Sequence, residues 1–235
     1  MKREMLTLDF LDRAVDLYDD VTGIVAHDGT KYTYAELDDR VNRLANALAE
    51  RGIQKGDKVA LLAPNTHYFI ETLYATNTLG AVFVPMNYRL TPGELEYILG
   101  DCDADVVISD YDYAENVEPI RESVPAEHFV GYESDRIDGE WDDYEAVLAD
   151  ASPEAPERPE LSEDDDASIN YTSGTTGNPP GVVRPPRPAH WPAQVLNQHQ
   201  DRRYHPICLW TPLMSHCTAR AHPHARTGSA SPLAW

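Results

Sequence analysis

Long apolar runs are missing from this chain. No stretch of about 18 consecutive apolar residues occurs, although 42% of its 235 residues are hydrophobic. The opening sequence Met1-Lys-Arg-Glu-Met-Leu-Thr-Leu-Asp9 carries an acidic residue where a secretion signal needs its apolar core. We therefore expect no membrane-spanning segment and no signal peptide, and the composition predicts a globular, cytoplasmic protein.

Cysteine is also scarce. The three cysteines, Cys102, Cys208 and Cys217, are odd in number and have no paired spacing, so we expect a reducing compartment rather than a disulfide framework. A zinc site in the last part of the chain is an alternative use for two of them, together with nearby histidines. The spacing of these residues matches neither C-x₂₋₄-C nor H-x₃₋₅-H cleanly, and we predict no metal site.

Basic residues are few. The chain has 19 Lys and Arg against 40 Asp and Glu, which gives a formal net charge of −21. Such a protein repels phosphate backbones over most of its surface, so nucleic acid is not an expected partner. The excess of acid is typical of adaptation to a high-salt cytoplasm, because about 1 M salt screens charge repulsion to within about 3 Å. It carries no information about chemistry.

The acidic character ends near residue 180. Residues 1–180 hold 13 basic and 39 acidic residues, whereas residues 181–235 hold six arginines and the single acid Asp201. The last lysine is Lys58, and the final segment carries 8 of the 18 prolines and 6 of the 9 histidines. We predict a domain at 1–183 and a divergent tail at 184–235, and we hypothesise that part of the tail is read in a shifted frame. A natural basic tail remains the alternative.

Before that change, strand and helix signals alternate. An Asp28-Gly29 turn separates the apolar segment 24–26 from residues 31–32 and predicts a hairpin. Two capping boxes predict helix starts, at Thr33 with Glu36 and at Thr91 with Glu94, and Asn65 is expected to cap a further helix that runs to Gly80. Apolar strands are predicted at 59–63, 81–85, 105–109 and 128–132. A short helix is predicted at 144–148 and an exposed acidic connection at 151–166.

Apolar strands separated by capped helices predict an α/β fold with a largely parallel sheet covered on both faces. The last strand signal, 167–171, runs directly into a segment rich in glycine and hydroxyl side chains, Thr172-Ser-Gly-Thr-Thr-Gly-Asn-Pro-Pro-Gly181. Glycines let backbone N–H groups converge on one point, and small hydroxyl side chains add donors without bulk. The segment therefore suits a polyphosphate, although it lacks the G-x-x-x-x-G-K-[ST] pattern. On composition alone, a surface loop without a ligand is the alternative.

The order of residues in Tyr171-Thr-Ser-Gly-Thr-Thr-Gly-Asn-Pro-x-Gly181 closely resembles the signature of the AMP-forming acyl-CoA synthetases, the adenylate-forming superfamily. Further segments at 32–37, 56–61, 80–90, 94–98 and 104–107 resemble that family in the same order. The resemblance covers about residues 5–183, so we expect an incomplete N-terminal domain of an adenylate-forming enzyme.

The resemblance implies ATP, Mg²⁺ and CoA as cofactors and a small carboxylate of the fatty-acid class as substrate. By the same likeness, the cradle for the β- and γ-phosphates of ATP is formed by Thr172, Ser173, Gly174, Thr175, Thr176 and Gly177. The element Leu209-Trp-Thr-Pro-Leu-Met-Ser-His-Cys217 resembles another family segment and makes His216 the candidate catalytic residue.

Two departures from the family pattern bear on activity. Pro180 stands where the family usually has lysine, and we expect weakened ATP binding because proline offers neither charge nor N–H. The family's adenine, ribose and magnesium contacts and its mobile C-terminal domain would follow residue 235. We therefore expect this chain to be inactive by itself, and a non-catalytic fragment that binds nucleotide weakly, or an acidic interaction module, is the competing reading.

Overall fold

The computed structural model describes residues 4, 6–26, 28–132, 139–171, 181–185, 208–209 and 233–234, the last two pairs as backbone only. The described helices are α1 Asp9–Tyr18, α2 Tyr34–Glu50, α3 His67–Thr78, α4 Pro92–Asp101, α5 Tyr111–Val117, a 3₁₀ helix Glu118–Ser123 and α6 Tyr144–Asp150. The described strands are β1 Thr22–Val25, β2 Lys31–Thr33, β3 Lys58–Leu62, β4 Val82–Met86, β5 Val106–Asp110, β6 His128–Tyr132, β7 Asp142–Asp143, β8 Ser168–Tyr171, β9 Gly181–Arg184, β10 Cys208–Leu209 and β11 Leu233–Ala234.

The main sheet has seven strands in the order β7-β6-β5-β3-β4-β8-β9. All neighbours are parallel except β8 and β9, which form an antiparallel pair at one edge. The chain first moves from β3 to β4 and then crosses to β5 on the other side of β3. This reversal puts the connecting helices on both faces, as the predicted α/β fold requires.

Alternate residues of each strand serve two separate hydrophobic clusters. On β3, Val59 and Leu61 join the cluster under α1, α2, α3 and α6, whereas Ala60 and Leu62 join the cluster under α4, α5 and the 3₁₀ helix. All four side chains are fully buried. Because successive side chains of a strand point to opposite faces, a continuous apolar strand is what a sheet covered on both sides needs.

The predicted capping boxes fix two helix starts. At α2, the Thr33 hydroxyl accepts the N–H of Glu36 at 3.1 Å while the Glu36 carboxylate accepts the N–H of Thr33 at 2.8 Å. At α4, the Glu94 carboxylate accepts both the N–H and the hydroxyl of Thr91, each at 2.8 Å. Side-chain partners for the free N–H groups of the first turn explain why these starts were readable from sequence.

The predicted hairpin is confirmed as the antiparallel pair β1–β2. It belongs to a second sheet of order β10-β11-β1-β2, in which β11 pairs in parallel with β1. The strands β10 and β11, which lie in the predicted tail, therefore extend the sheet that begins with the hairpin. The predicted boundary at residue 183 stays a prediction.

Two predictions were wrong in detail. The cap of α3 is Thr66 rather than Asn65, and the Thr66 side chain makes no capping hydrogen bond. Because both residues are of types that cap helices, the sequence left the start of α3 uncertain by one position. Within the connection 151–166, which was predicted to be exposed, Glu163 is buried. The segment is held against the domain because Asp165 pairs with Lys55 at 2.6 Å and Arg158 with Asp12 at 2.6 Å.

Candidate functional site

The residues predicted to cradle phosphate and to act in catalysis lie outside the described residues. They are Thr172, Ser173, Gly174, Thr175, Thr176, Gly177 and His216. What the structure gives is the frame that carries the predicted cradle, because both strands flanking residues 172–180 are described. The assignments of the seven residues stay predictions.

The frame is the antiparallel pair β8–β9 at the edge of the main sheet. Its last matched residues are Tyr171 and Gly181, which lie opposite each other and so bring the two ends of segment 172–180 together. β8 runs parallel to β4, with Ser168 beside Phe83, so Tyr171 ends near the carboxyl end of β4. Ligands of open parallel sheets bind outside this edge, which is the side where the predicted phosphate loop begins.

A turn after β4 places a cation at the same edge. The N–H of Leu90 donates to the carbonyl of Asn87 at 3.1 Å, and the N–H of Arg89 donates to the Asn87 side-chain oxygen, also at 3.1 Å. The Arg89 guanidinium is 5.5 Å from the ring centroid of Tyr88. Among the described residues it is exposed and has no ion pair. In a chain this acidic, an exposed arginine at this edge, without an ion pair among the described residues, is a favourable feature for an anion.

A buried polar cluster joins α2, α3 and α6, and sequence reasoning did not find it. Glu71 has no exposed surface. Its carboxylate accepts two hydrogen bonds from Arg40, at 2.6 and 3.1 Å, and one from the Tyr144 hydroxyl at 2.9 Å. Arg40 also donates to Glu145 at 2.7 and 2.9 Å. The charge of Glu71 in an apolar helical pattern was the available signal, but its partners Arg40 and Tyr144 lie 31 and 73 residues away.

Burial opposes the charge on Arg40, yet the hydrogen bonds to Glu145 and Glu71 outweigh it and raise the guanidinium pKa. The Tyr144 hydroxyl pKa is also raised, chiefly by burial and by the nearby Glu71 carboxylate. Arg40 therefore keeps its charge and Tyr144 its phenol proton through the ordinary pH range. Its chemistry is that of a structural ion pair, not of a proton-transfer site.

His67 begins α3 beside this cluster. Its ring stacks on Tyr32 with centroids 5.1 Å apart and tilts against Tyr68 at 3.8 Å, while Tyr68 in turn stacks on Tyr132 at 3.8 Å. Neither ring nitrogen of His67 has a hydrogen-bond partner in the described part of the chain, and the residue is buried. Burial lowers the His67 pKa from 6.5, against the opposing influence of Glu71.

We expect His67 to make the stability of the fold sensitive to acid. Between its lowered folded pKa and about 6.5, the unfolded chain binds more protons, so the free energy of unfolding falls as pH drops through that window, by at most about 1.4 kcal/mol per pH unit. We expect His67→Phe, which keeps a stacked ring, to remove this slope. The measurement is urea unfolding of both proteins from pH 7 to pH 5. Parallel curves in that range would contradict the assignment.

Other polar candidates are less suited to chemistry. Cys102 is buried, and burial raises its thiol pKa to about 12, so it is a poor nucleophile. In the described ranges, no three His, Cys, Asp or Glu side chains gather closely enough to hold a metal ion. The described helices include none that is both long and apolar enough to cross a membrane.

Comparison with known proteins finds a family match over most of the chain. Residues 11–225 match the family described as AMP-binding enzyme. A 3-oxocholest-4-en-26-oate–CoA ligase of Rhodococcus rhodochrous is 36% identical over 180 residues, which are 74% of this chain and 32% of that protein. A long-chain-fatty-acid–CoA ligase of Mycobacterium tuberculosis is 36% identical over 187 residues, 77% of this chain and 36% of that protein.

Among solved structures, a fatty acyl CoA synthetase of Mycobacterium tuberculosis is similar with a TM-score of 0.87 and 28% identity, covering 98% of this chain and 44% of that one. The chain thus spans about a third of the length of the two curated relatives and less than half of the solved structure. The expected fold of an N-terminal part of such an enzyme is confirmed.

Proposed function

Because this chain belongs to the AMP-binding enzyme family, we propose that it forms the phosphate-binding part of a ligase that activates a carboxylic acid with ATP. In the first step, a carboxylate oxygen attacks the α-phosphorus of ATP, and pyrophosphate leaves to give an acyl-adenylate. In the second, the sulfur of CoA attacks the acyl carbon, and AMP leaves to give the thioester.

The observation that carries the proposal is the junction of the β8–β9 frame with segment 172–180. The frame opens at the carboxyl edge of the sheet, and the segment between its strands supplies three hydroxyl residues and a glycine in its first four positions and has the order of the family's phosphate loop. Backbone and hydroxyl donors at this point would stabilise the charge that develops on the leaving pyrophosphate. In this proposal, the residues from Thr172 to Gly177 hold the β- and γ-phosphates, and His216 lies beside the reacting carboxylate.

We place the substrate in the class of fatty acids. The two relatives act, by name, on a long-chain fatty acid and on a steroid carboxylate, which share a carboxylate on a large apolar body. Magnesium enters as the ion that accompanies ATP. No three-carboxylate group among the described residues suits it, so we assign it no protein ligand and no step.

The proposal is tested by the affinity of the purified chain for Mg-ATP, Mg-ADP and AMP, measured by calorimetry in about 1 M KCl to screen the protein's negative charge. We expect ATP to bind most tightly, because only the triphosphate has both phosphates that the loop holds. Thr175→Val should weaken ATP binding, and Thr22→Val on β1 is the matched control. Equal affinity for ATP and AMP, or an effect of the control alone, would contradict the proposal.

A nucleotide-binding chain without turnover is the second candidate, favoured by Pro180 in the phosphate loop. It is separated from the ligase by incubating the chain with ATP, magnesium, CoA and fatty acids. Pyrophosphate release that depends on the fatty acid supports a complete ligase. Binding of ATP without such release, which we expect of this chain by itself, supports a binding part of the larger enzyme.

A further inference from the structure

Tyr171 is the last described residue before segment 172–180, and its side chain reaches across to α4. The phenol donates a hydrogen bond to Oδ2 of Asp101 at 2.7 Å. Asp101 is the last residue of α4 and lies 70 positions earlier in the chain. Burial, and then the hydrogen bond to Asp101, raise the Tyr171 pKa. The Tyr171 phenol therefore stays protonated in the ordinary pH range and donates this hydrogen bond there.

The same ring lies over the other end of the segment. A Cβ atom built on Gly181 would be 3.0 Å from Cζ and 3.1 Å from Oη of Tyr171, and 3.0 Å from Cγ2 of Ile169. A side chain at this position would need these neighbouring atoms to shift by a few tenths of an ångström, so the close approach of the ring favours glycine there. The Tyr171 side chain, which precedes segment 172–180, thus lies against Gly181, which follows it.

We propose that Tyr171, held by Asp101, is a positioning residue that fixes the two ends of segment 172–180 relative to each other and to α4. The role rests on the proposed function, in which that segment holds phosphate. A cradle of backbone N–H groups stabilises charge only when its donors are already oriented, and a loop whose ends can move must be ordered by the ligand at a cost in affinity. The Tyr171 to Asp101 contact removes that freedom before ATP binds.

A purely structural contact would behave differently. Asp101 is exposed, and a single hydrogen bond near the surface contributes little to global stability. A positioning role predicts that its loss changes ATP affinity while the melting temperature stays nearly the same. A structural role predicts a lower melting temperature with ATP affinity unchanged.

The experiment compares Tyr171→Phe, Asp101→Ala, which removes the acceptor of the Tyr171 hydroxyl, and the double variant in the full chain, with Asp103→Asn as the control for lost charge. Asp103 is an exposed carboxylate two positions from Asp101, so its loss changes the net charge equally. We expect each single variant to weaken Mg-ATP binding about three- to tenfold and the double variant to be no weaker than either. Asp103→Asn should leave affinity unchanged or improve it, since it removes negative charge. Equal effects of Asp101→Ala and Asp103→Asn would overturn the proposal.

Hydrogen exchange separates failure of this proposal from failure of the proposed function. If the native chain does not bind Mg-ATP, the proposed function is wrong, and the positioning role is decided by amide exchange at residues 168–171 and 181–184 without ligand. Faster exchange there in Tyr171→Phe and Asp101→Ala, but not in Asp103→Asn, supports the positioning role. Unchanged exchange in all three variants overturns it.

Discussion

Replacing Glu71 by alanine is expected to lower the free energy of unfolding by about 3–5 kcal/mol. The carboxylate is fully buried and accepts hydrogen bonds from Arg40 and from Tyr144. Its removal leaves the Arg40 guanidinium with Glu145 as its remaining partner. Only 16% of the Arg40 side chain is exposed, so water reaches little of it. The Tyr144 hydroxyl also loses the Glu71 carboxylate to which it donates a hydrogen bond. Urea unfolding at neutral pH measures the loss.

Two further variants separate charge from packing. Glu71→Gln keeps the shape and one acceptor oxygen, so we expect a smaller loss than for alanine. Asp39→Ala removes a carboxylate that pairs with Arg43 at 2.8 Å on the exposed side of α2, and such pairs contribute about 0–1 kcal/mol. Similar losses for Glu71→Ala and Asp39→Ala would show that the buried cluster does not join the three helices as we infer.

The second large effect concerns ligand affinity. We expect Pro180→Lys to tighten Mg-ATP binding about tenfold or more, because it restores a cation where the resemblance places one against phosphate and also restores a backbone N–H. A charge-assisted hydrogen bond contributes about 1.5–3 kcal/mol, and each 1.4 kcal/mol is tenfold in affinity. Calorimetry with Mg-ATP measures the change.

Pro179→Lys is the matched control for that change. It adds the same charge one position earlier and relieves the net negative charge of −21 equally, so it reports the general electrostatic gain. The difference between the two variants is the specific contribution of position 180. Equal tightening by both would mean that the family's lysine has no counterpart at this position.

Much of the fold was readable because its signals are local. The caps of α2 and α4 lie within four residues, and the bounds of β6 follow from one apolar run. The order of strands was not readable, because it depends on which strands meet across the sheet. The burial of Glu163 was missed for the same reason, since an acidic run reads as exposed until its partners are known.

In the candidate site, too, local features could be predicted from the sequence and long-range contacts could not. The order of residues in 171–181 identified the family and the predicted cradle without any coordinates. The contacts that hold the ends of that segment could not be predicted, because Tyr171 and Asp101 are 70 residues apart and neither stands out in composition. The Arg40 to Glu71 pair was hidden likewise, because the two residues are 31 positions apart and the apolar pattern around Glu71 does not identify its partner.

The proposed function requires that ATP binds at the segment between β8 and β9. Amide hydrogen exchange of the full chain with and without Mg-ATP, followed on the peptides that span residues 168–184, tests it most directly. We expect slower exchange in these peptides with Mg-ATP and little change with AMP. Protection by Mg-ATP confined to other parts of the chain, or none at saturating nucleotide, would contradict it.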